Sequence, residues 1–486
     1  MHSRLLLVFS VAFAGLCAAS CAQPLGPAYS IENQEVRVHF ESGATPLIRV
    51  DSTYKLRNIG TRAISSMQLR LPGRRLFHIS GDRAAWDGLS LSPQTSETNP
   101  RETVLVLPHP WNAGKTHSLE LSADFTSPAA GESGFRFTSD AFFLPSEGWV
   151  PELLPAPGLF GTGGVPPGSW RLSATVPQDF LVHTSGRSAK VARRSGEITV
   201  VSVQRSGDRY AFVVAGRYRE STLVAGTRKV FFWTRSQEDA DSLRQLADSL
   251  ARSMQTYDDT FGPPFPASQP FWIVECPVVQ GCFVASESSY AAFLGANSGE
   301  LTSGLASRDT LLLDFSGGPP QLAAAAPGLA ASWLGYGENP GFYDRQPPLT
   351  ALPAFASALG ADSIAGPSAR ADTIRRALRF IPRNSNARAF EDAAALRAKS
   401  FLFFYALQDR VGQQAFRQAI NHVLSARRGR GFNLDDLIAA FDEETHQNTA
   451  EFVRLWMKHP GVPPDFRARY EDASASLAAN SKEAVP

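Results

Sequence analysis

The spacing of apolar residues changes once along this chain, and that change limits the folds open to it. From Tyr29 to about Gly216, apolar and polar residues alternate with a period of two, which is typical of strands with one buried face. Pro, Gly, Asn and Asp separate the alternating segments, which are VRVHF (36–40), IRVDSTYKL (48–56), MQLRL (67–71), TVLVL (103–107), LELSADF (119–125), RLSATV (171–176), ITVVSV (198–203) and YAFVVAG (210–216). No helical pattern interrupts them, so we predict an all-β sandwich or saddle-like sheet assembly of roughly 190 residues.

The spacing becomes helical after one further strand pattern at residues 229–234. A helix is predicted to begin near Ser236, because Ser236 and Asp239 match a capping pair and apolar residues follow at helical intervals. A strand pattern returns at residues 270–276. Beyond residue 320 helical patterns dominate, including 400–412, 413–428, 434–446 and 449–459.

Two of these helices carry recognisable start signals. Asn433 with Asp436, and Asn448 with Glu451, have residue types and spacing that satisfy the free backbone donors of a first helical turn. We therefore predict an α+β chain, with an all-β N-terminal domain followed by a mostly helical domain that contains a small sheet.

The domain boundaries follow from the same patterns. We place the β-domain at 27–220, the second domain at 221–467, and a disordered tail rich in Ala, Ser and charged residues at 468–486. The Pro/Gly-rich stretch 148–170 is interpreted as an ordered loop against the sheet. A flexible linker is the alternative, but Trp149, Leu153 and Leu154 argue against it because linkers rarely carry such apolar side chains.

The N-terminus has the features of an export signal. Arg4 precedes the apolar run LLLVFSVAFAGLCAA, and small residues follow it. Residues 1–22 would be removed by cleavage after Ala22; lipoprotein processing at Cys21 is the alternative. Either route predicts an exported protein that is periplasmic, secreted or associated with the envelope.

The remaining cysteines fit that compartment. Cys276 and Cys282 lie close together in ECPVVQGC, and an oxidising environment favours a disulfide across this short loop. Two free buried thiols are the alternative, while a zinc site would need further ligands nearby.

Charge excludes some partners. The formal net charge of the 486 residues is +1, and no long run of like charge occurs, so neither nucleic acid nor an anionic membrane is an expected partner. Arg427, Arg428 and Arg430 are interpreted as part of a solvated loop. A membrane contact is expected only through a lipid anchor at Cys21, and no segment after the N-terminus is long and apolar enough to span a bilayer.

Several stretches, in a fixed order, resemble one enzyme family. They are EGWVPELLP (147–155), the FGPPFP turn (261–266) with the strand after it, PGLAASWLG (327–335), KSFLFFYALQDRVGQQAFRQAIN (399–421) and WMKHPGVP (456–463). Together they are similar to the membrane alanyl aminopeptidase family of zinc metallopeptidases, the gluzincins. The resemblance covers roughly residues 30–465 and implies that the second domain is a thermolysin-like catalytic domain.

The metal site of that family does not carry over to this sequence. The family has H-E-x-x-H followed after eighteen residues by a glutamate, which gives three zinc ligands and a general base. The frame is kept in Leu329, Ala330, Trp333, Leu334 and Gly335. The resemblance places the histidines at Pro327 and Ala331, the general base at Gly328 and the third ligand at Thr350, and none of these is a good zinc ligand.

The catalytic tyrosine position is also altered. In the family this tyrosine lies two residues before a Lys-Gly pair, and the matching Lys399-Ser400 puts Arg397 there. No histidine occurs between His183 and His422, so the commonest zinc ligand is missing from the whole region. We therefore expect no cofactor, or zinc only if a non-standard metal site exists.

One binding element has a candidate. The family's exopeptidase motif, G-x-M-E-N, holds the substrate's free amine with a glutamate, and FVASESSY (283–290) occupies the matching place with Glu287 and the adjacent Ser286. A loop carboxylate without a ligand is the alternative. Trp333 is interpreted as core packing at helical spacing rather than a ligand platform.

The leading functional hypothesis is an exported, catalytically inactive member of this family that binds a peptide or protein or acts as a scaffold. No G-x-S-x-G, S-x-x-K or phosphate-loop motif offers other chemistry. The alternative is a metallo-aminopeptidase that removes N-terminal residues through a non-standard metal site. A third hypothesis is a structural envelope protein whose cleft is filled by Phe342, Tyr343 and Arg345.

Overall fold

The computed structural model describes residues 28–70, 78–95, 102–127, 137–144, 149–154, 168–205, 212–235, 238, 240–262, 270–277, 303–307, 309–313, 315, 329–330, 333–334, 347–365, 367–382, 393–426 and 432–471. The strands in these ranges are β1 (Tyr29–Glu41), β2 (Leu47–Asn58), β3 (Ile64–Arg70), β4 (His78–Trp86), β5 (Leu89–Leu91), β6 (Gln94–Thr95), β7 (Glu102–Trp111), β8 (Thr116–Thr126), β9 (Ala141–Leu144), β10 (Glu152–Leu153), β11 (Ser169–Pro177), β12 (Leu181–Thr184), β13 (Arg187–Arg194), β14 (Glu197–Arg205), β15 (Val213–Gly216), β16 (Arg219–Ala225), β17 (Arg228–Thr234), β18 (Phe271–Glu275), β19 (Ser303–Ser307) and β20 (Thr310–Leu313).

The helices of the described chain all follow the β-rich part. They are α1 (Ala240–Phe261), α2 (Leu352–Ala365), α3 (Pro367–Leu378), α4 (Ala393–Val411), α5 (Gln413–Ala426), α6 (Leu434–Thr445), α7 (Thr449–Lys458) and α8 (Pro464–Glu471), with a 3-10 turn at Leu349–Ala351. A β-rich N-terminal domain is therefore followed by a helical domain, which confirms the predicted α+β architecture.

The largest sheet of the N-terminal domain has eight strands in the order β13-β14-β11-β1-β2-β8-β4-β5. Its strands pair antiparallel except β1 with β11, which run parallel. Because side chains alternate between the faces of a strand, Val36, Val38 and Phe40 of β1 all point to one side and are buried. The same strand therefore presents its intervening residues to solvent.

Two smaller sheets cover the buried face. The three-stranded sheet β12-β15-β9 packs its Phe142 and Val213 into one cluster with Phe40. The four-stranded sheet β10-β3-β7-β6 contributes Met67 and Leu105 to a second cluster. The result is a layered sheet assembly of the kind that the period-two pattern predicts.

The second domain combines a mixed sheet with helices. The sheet has the order β16-β17-β18-β20-β19. In it, β17 pairs parallel with β18, and β18 pairs parallel with β20. One large apolar cluster joins this sheet to helices α1 to α8. The predicted domain boundary at 220/221 falls within β16, the first strand of this sheet.

The two domains share a buried aromatic contact around His183 of β12. Its Nε2 lies 2.8 Å from the Thr310 hydroxyl of β20, and its ring stacks on Trp272 of β18 with centroids 4.2 Å apart. Burial lowers the pKa of His183, and the charge of Asp309 opposes that shift. This histidine is thus satisfied by structural contacts.

Several local predictions are confirmed. The Asn433 side chain accepts from the Asp436 backbone in a complete capping box, and Asn448 accepts from the Glu451 backbone. Trp149, Leu153 and Leu154 are buried, so this part of the predicted loop does lie against the sheet. The capping pair Ser236 and Asp239, the basic cluster at 427–430 and the signal at 1–22 lie outside the described residues.

One boundary is wrong. The tail predicted from residue 468 overlaps α8, which continues to Glu471. The helix is held there because Phe466 is buried and the Tyr470 hydroxyl donates to Asp409 at 2.6 Å. Among the described residues, no helix is long and apolar enough to cross a membrane.

Candidate functional site

The segment that the resemblance aligns with the family's zinc-binding helix packs into the core where it is described. Residues 329–330 and 333–334 are helical, with Leu329, Ala330 and Leu334 at most 1% exposed and Trp333 8% exposed. These are the apolar residues that the sequence shares with the enzyme family. The prediction that Trp333 is a packing residue is confirmed.

Two charged residues from distant elements hold Trp333 in place. Its indole Nε1 donates to Asp258 Oδ1 of α1 at 2.9 Å. Arg228 of β17 donates from Nη2 to both Asp258 oxygens at 2.9 Å, and its guanidinium lies 4.9 Å from the centroid of the indole ring. The carboxylate of Asp258 thus joins β17, α1 and Trp333 in one contact.

Tyr257 links the same segment to the next helix. Its ring centroid lies 5.3 Å from that of Trp333, and its hydroxyl reaches the backbone of α2. A Cβ at Gly360 would lie 1.9 Å from the Tyr257 hydroxyl oxygen, so only glycine allows this approach. Burial raises the pKa of Tyr257, which keeps its hydroxyl protonated.

Thr350, at the third-ligand position, lies in the 3-10 turn that leads into α2. Thr350 is half-buried, while Leu349 and Ala351 on either side are fully buried. This turn contacts both α2 and α4, the helix that carries Arg397. The structure therefore brings together the elements of two aligned site positions.

Arg397 and Lys399 of α4 have different surroundings. Residues two positions apart in a helix are rotated by about 200° around its axis, so the side chains of Arg397 and Lys399 leave on nearly opposite sides. Arg397 is half-buried, and its Nε has no hydrogen-bond partner among the described residues. Lys399 is 2% exposed.

The Lys399 amine lies at the end of α7. It donates to the backbone oxygens of Met457, at 3.1 Å, and of His459, while the Trp456 indole donates to the Lys399 oxygen at 3.2 Å. A cation at the carbonyl end of a helix is favourable, but burial lowers the pKa of Lys399 to about 8. Lys399 is therefore a structural residue rather than part of an open cleft.

The described site positions do not fit zinc. Thr350 offers a neutral hydroxyl, a weak zinc ligand, and Arg397 offers a cation, which repels a metal ion. In the described part of the chain no three His, Cys, Asp or Glu side chains are grouped as a metal site. Pro327, Gly328 and Ala331 lie outside the described residues, so the absence of a metal stays a prediction.

Other predicted residues also lie outside the described ranges: Ser286, Glu287, Phe342, Tyr343, Arg345 and Cys282. Cys276, at the end of β18, is 3% exposed and is disulfide-bonded. Its pairing with Cys282 stays a prediction.

A buried carboxyl group near this region was missed by sequence reasoning. Asp362 of α2 accepts from the Tyr405 hydroxyl of α4 at 3.1 Å, and its Oδ1 has no partner among the described residues. Burial raises the pKa of Asp362 to about 6. The signal was weak, because an aspartate in LGADSI looks like any exposed helix residue until the neighbouring helices are in place.

Comparisons with known proteins place this geometry in a known fold. No protein-family model and no curated protein matches the chain. Solved structures do match. A glutamate-to-alanine mutant of an M1 zinc metallopeptidase from Deinococcus radiodurans is 17% identical with a TM-score of 0.58, covering 90% of this chain and 96% of that one.

Two further structures of that organism's protein agree. The mutant bound to a Tyr-Ser-Ala substrate is 16% identical, with a TM-score of 0.56 and coverage of 90% and 96%. The non-mutant enzyme is 17% identical, with a TM-score of 0.56 and coverage of 90% and 95%. The chain therefore has the two-domain fold of the M1 zinc metallopeptidases.

Proposed function

We propose that this chain is an exported, catalytically inactive protein of the aminopeptidase fold that binds a peptide or a protein segment in its former catalytic cleft. One observation carries the proposal: the four aligned positions that would supply zinc ligands and the general base are Pro327, Gly328, Ala331 and Thr350. Hydrolysis in this fold depends on a zinc-activated water, and these side chains cannot position one.

The surroundings support loss of chemistry with retention of shape. Trp333 and its partners Asp258 and Arg228 keep residues 333–334 packed beside 329–330, whereas Thr350 and Arg397 present no metal-binding pair. No histidine occurs from 184 to 421 to rebuild a site. A binding role needs only the cleft, not the metal.

The similar solved structures suggest the ligand class. The Deinococcus protein was solved with a Tyr-Ser-Ala substrate, and two-domain M1 mutants were solved with L-arginine and with L-tryptophan. We infer that a short peptide with a free N-terminus is the ligand to test first. Glu287, with Ser286 beside it, is the proposed amine anchor, because a carboxylate pairs well with an ammonium group.

The first experiment measures metal and turnover. The mature protein, purified without chelator, is assayed for bound zinc by atomic spectroscopy and for cleavage of alanyl and leucyl chromogenic substrates. We expect neither stoichiometric zinc nor turnover. Stoichiometric zinc with chelator-sensitive cleavage would instead establish the alternative, a metallo-aminopeptidase with a non-standard site.

The second experiment measures binding. Calorimetry with Tyr-Ser-Ala and with its N-acetylated form tests whether a free amine is recognised, and Glu287→Gln is the matched variant. We expect the free peptide to bind at least about tenfold more tightly, and the variant to remove that preference, since a paired charge contributes roughly 1 to 2 kcal/mol. Equal binding of both peptides would contradict the anchor, and no binding of either would favour a scaffold with a filled cleft.

Export is part of the proposal and has its own test. Cell fractionation should find the chain outside the cytoplasm, and radiolabelled palmitate with Cys21→Ala would separate lipoprotein processing from simple cleavage. A purely cytoplasmic chain would contradict it.

A further inference from the structure

The strand β13 (Arg187–Arg194) lies at the edge of the eight-stranded sheet and differs in composition from the strands beside it. It pairs only with β14 among the described strands, so one side of its backbone is free for another partner. Its residues are exposed apart from the half-buried Ala192. Its sequence, RSAKVARR, contains four cations.

The register places most of these cations on one face. A bulge between Ser188 and Lys190 shifts the pairing, so Arg187, Lys190, Ala192 and Arg194 lie opposite Val203, Val201, Thr199 and Glu197 of β14. We call this face, which points away from the apolar core cluster that contains Ile198 and Val200, the outer face. Three of these four outer-face positions of β13 are therefore cationic. Arg193 lies on the other face, opposite Ile198.

These cations form no ion pairs in the described part of the chain, whereas Arg37 of β1 is paired with Glu35. Glu197, which lies opposite Arg194, has its carboxylate 3.1 Å from His39 Nε2 instead. The chain as a whole is nearly neutral, with a formal net charge of +1. The positive charge of β13 is thus a local feature and not a consequence of an overall basic composition.

The positive charge is also confined to a narrow strip of the sheet. On the outer face, Arg171 of β11 adds one more cation, but Glu35 lies directly beside it on β1. Glu35 in turn lies in one row with Thr53 of β2 and Glu120 of β8. A flat anionic surface would meet these carboxylates, whereas a ligand one strand wide would meet mainly the cations.

We propose that β13 binds an extended acidic segment of a partner protein, which adds to the sheet as a further strand. Backbone hydrogen bonds to the free edge would supply affinity, and carboxylates at alternate positions would pair with Arg187, Lys190 and Arg194. The eight residues of β13 offer about 27 Å of edge at the usual rise per residue. A second copy of this chain is a poor occupant, because pairing two such strands would bring like charges together.

The test uses the mature full-length protein and a labelled ten-residue peptide that alternates Glu with Thr and Val. Fluorescence anisotropy should show binding that weakens with salt. The triple variant Arg187→Glu, Lys190→Glu, Arg194→Glu should weaken binding at least about tenfold, because it turns three attractive charge pairs into three repulsive ones. The matched variant Arg244→Glu, Arg252→Glu, Arg454→Glu makes the same charge change on exposed helix surfaces and should bind as the unaltered protein does.

Two further arms separate strand addition from purely electrostatic binding and from membrane binding. A peptide of equal charge, N-methylated at alternate residues, should bind at least about tenfold more weakly, because it loses backbone donors. Equal binding of the two peptides would overturn strand addition. Tighter binding to anionic vesicles than to the peptide would overturn the choice of partner.

A purely protective role for the cations makes a different prediction. In that case the peptide would not bind, and the triple variant would self-associate in sedimentation experiments because its edge is no longer guarded. That result would overturn the proposal. The cleft variant Glu287→Gln should leave peptide binding at β13 unchanged, which keeps this proposal distinct from the function proposed for the cleft.

Discussion

Two sides of the region that the resemblance aligns with the family's zinc site differ in burial and in partners. On the packing side, Leu329, Ala330, Trp333 and Leu334 are buried, and Trp333 is held by Asp258 and Arg228. On the cleft side, the resemblance aligns Pro327, Gly328, Ala331, Thr350 and Arg397 with the family's site residues, and the described ones, Thr350 and Arg397, are only half-buried.

The difference reflects what constrains each side. A packing residue touches many neighbours in a densely filled interior, so most replacements leave a cavity or a clash. A catalytic residue is constrained by chemistry, and once the chemistry is not needed its replacement costs little folding free energy. The packing side can therefore preserve the fold even where the residues at the aligned site positions differ.

The largest expected effect comes from Gly360→Ala on the packing side. The added Cβ would lie 1.9 Å from the Tyr257 hydroxyl oxygen, so the two helices must move apart. We expect a loss of about 3 kcal/mol in the free energy of unfolding, at the upper end for overpacking. Urea denaturation of the variant measures it.

Two controls accompany this change. Tyr257→Phe in the Gly360→Ala background should recover part of the loss, because it removes the closest atom. Gly43→Ala, where nothing lies within 4 Å of the new Cβ, should change stability by less than about 0.5 kcal/mol. A Gly360→Ala variant as stable as the original protein would contradict the close helix approach.

A slightly smaller effect is expected from Asp258→Ala. It removes the acceptor of the Trp333 indole and leaves Arg228, whose side chain is 11% exposed, without its carboxylate. We expect a loss of about 2 to 3 kcal/mol, below the range for fully buried pairs because Asp258 is 27% exposed. Asp241→Ala, which breaks an exposed pair with Arg244, should cost less than about 0.5 kcal/mol.

A pH-dependent effect is expected from Lys399→Met. Burial lowers the pKa of Lys399 to about 8 from its ordinary value of 10.5, so the unfolded chain binds more protons between these values. The contribution of Lys399 to stability should therefore rise as the pH increases from 8 towards 10.5. Chemical denaturation at about pH 7, 8 and 9.5 measures the difference between the original protein and the variant.

The comparison with the variant cancels the titration of buried tyrosines, which both proteins share. Near neutral pH the variant loses two hydrogen bonds to backbone oxygens but also a buried charge, so we expect a difference within about 2 kcal/mol. A difference that does not change between about pH 8 and 9.5 would show that the Lys399 amine is not desolvated.

The smallest effects are expected on the cleft side, for Thr350→Ala and Arg397→Ala. Both side chains are half-buried, and neither position has a described partner that would be left unpaired. Each variant should change the unfolding free energy by less than about 1 kcal/mol, as measured by thermal denaturation. A loss as large as that of Asp258→Ala would remove the distinction between the two sides.

Sequence reasoning succeeded where the signal is local. The strands at 36–40 and 48–56 and the caps at Asn433 and Asn448 follow from side-chain period and from residue types within one turn. It missed β13, because RSAKVARR has no alternation of apolar and polar residues and is a strand only through its pairing with β14. It also missed β4 and β16, whose sequences have weak period-two patterns.

The features of the candidate site also divide into those that the sequence predicts and those that it does not. The residues at the four aligned positions, the absence of histidine between 183 and 422 and the burial of Trp333 can all be inferred from the sequence, because motif spacing and residue type are properties of the chain itself. The partners of Trp333 could not be inferred, since Asp258 lies 75 positions away and Arg228 further still. The sequence by itself therefore determined the fold class, the domain order and which residue types stand at the aligned site positions. Only the tertiary structure decided which charges are paired, which carboxyl is buried and which cationic strand lies at an edge of the described sheet, because each depends on contacts between residues distant along the chain.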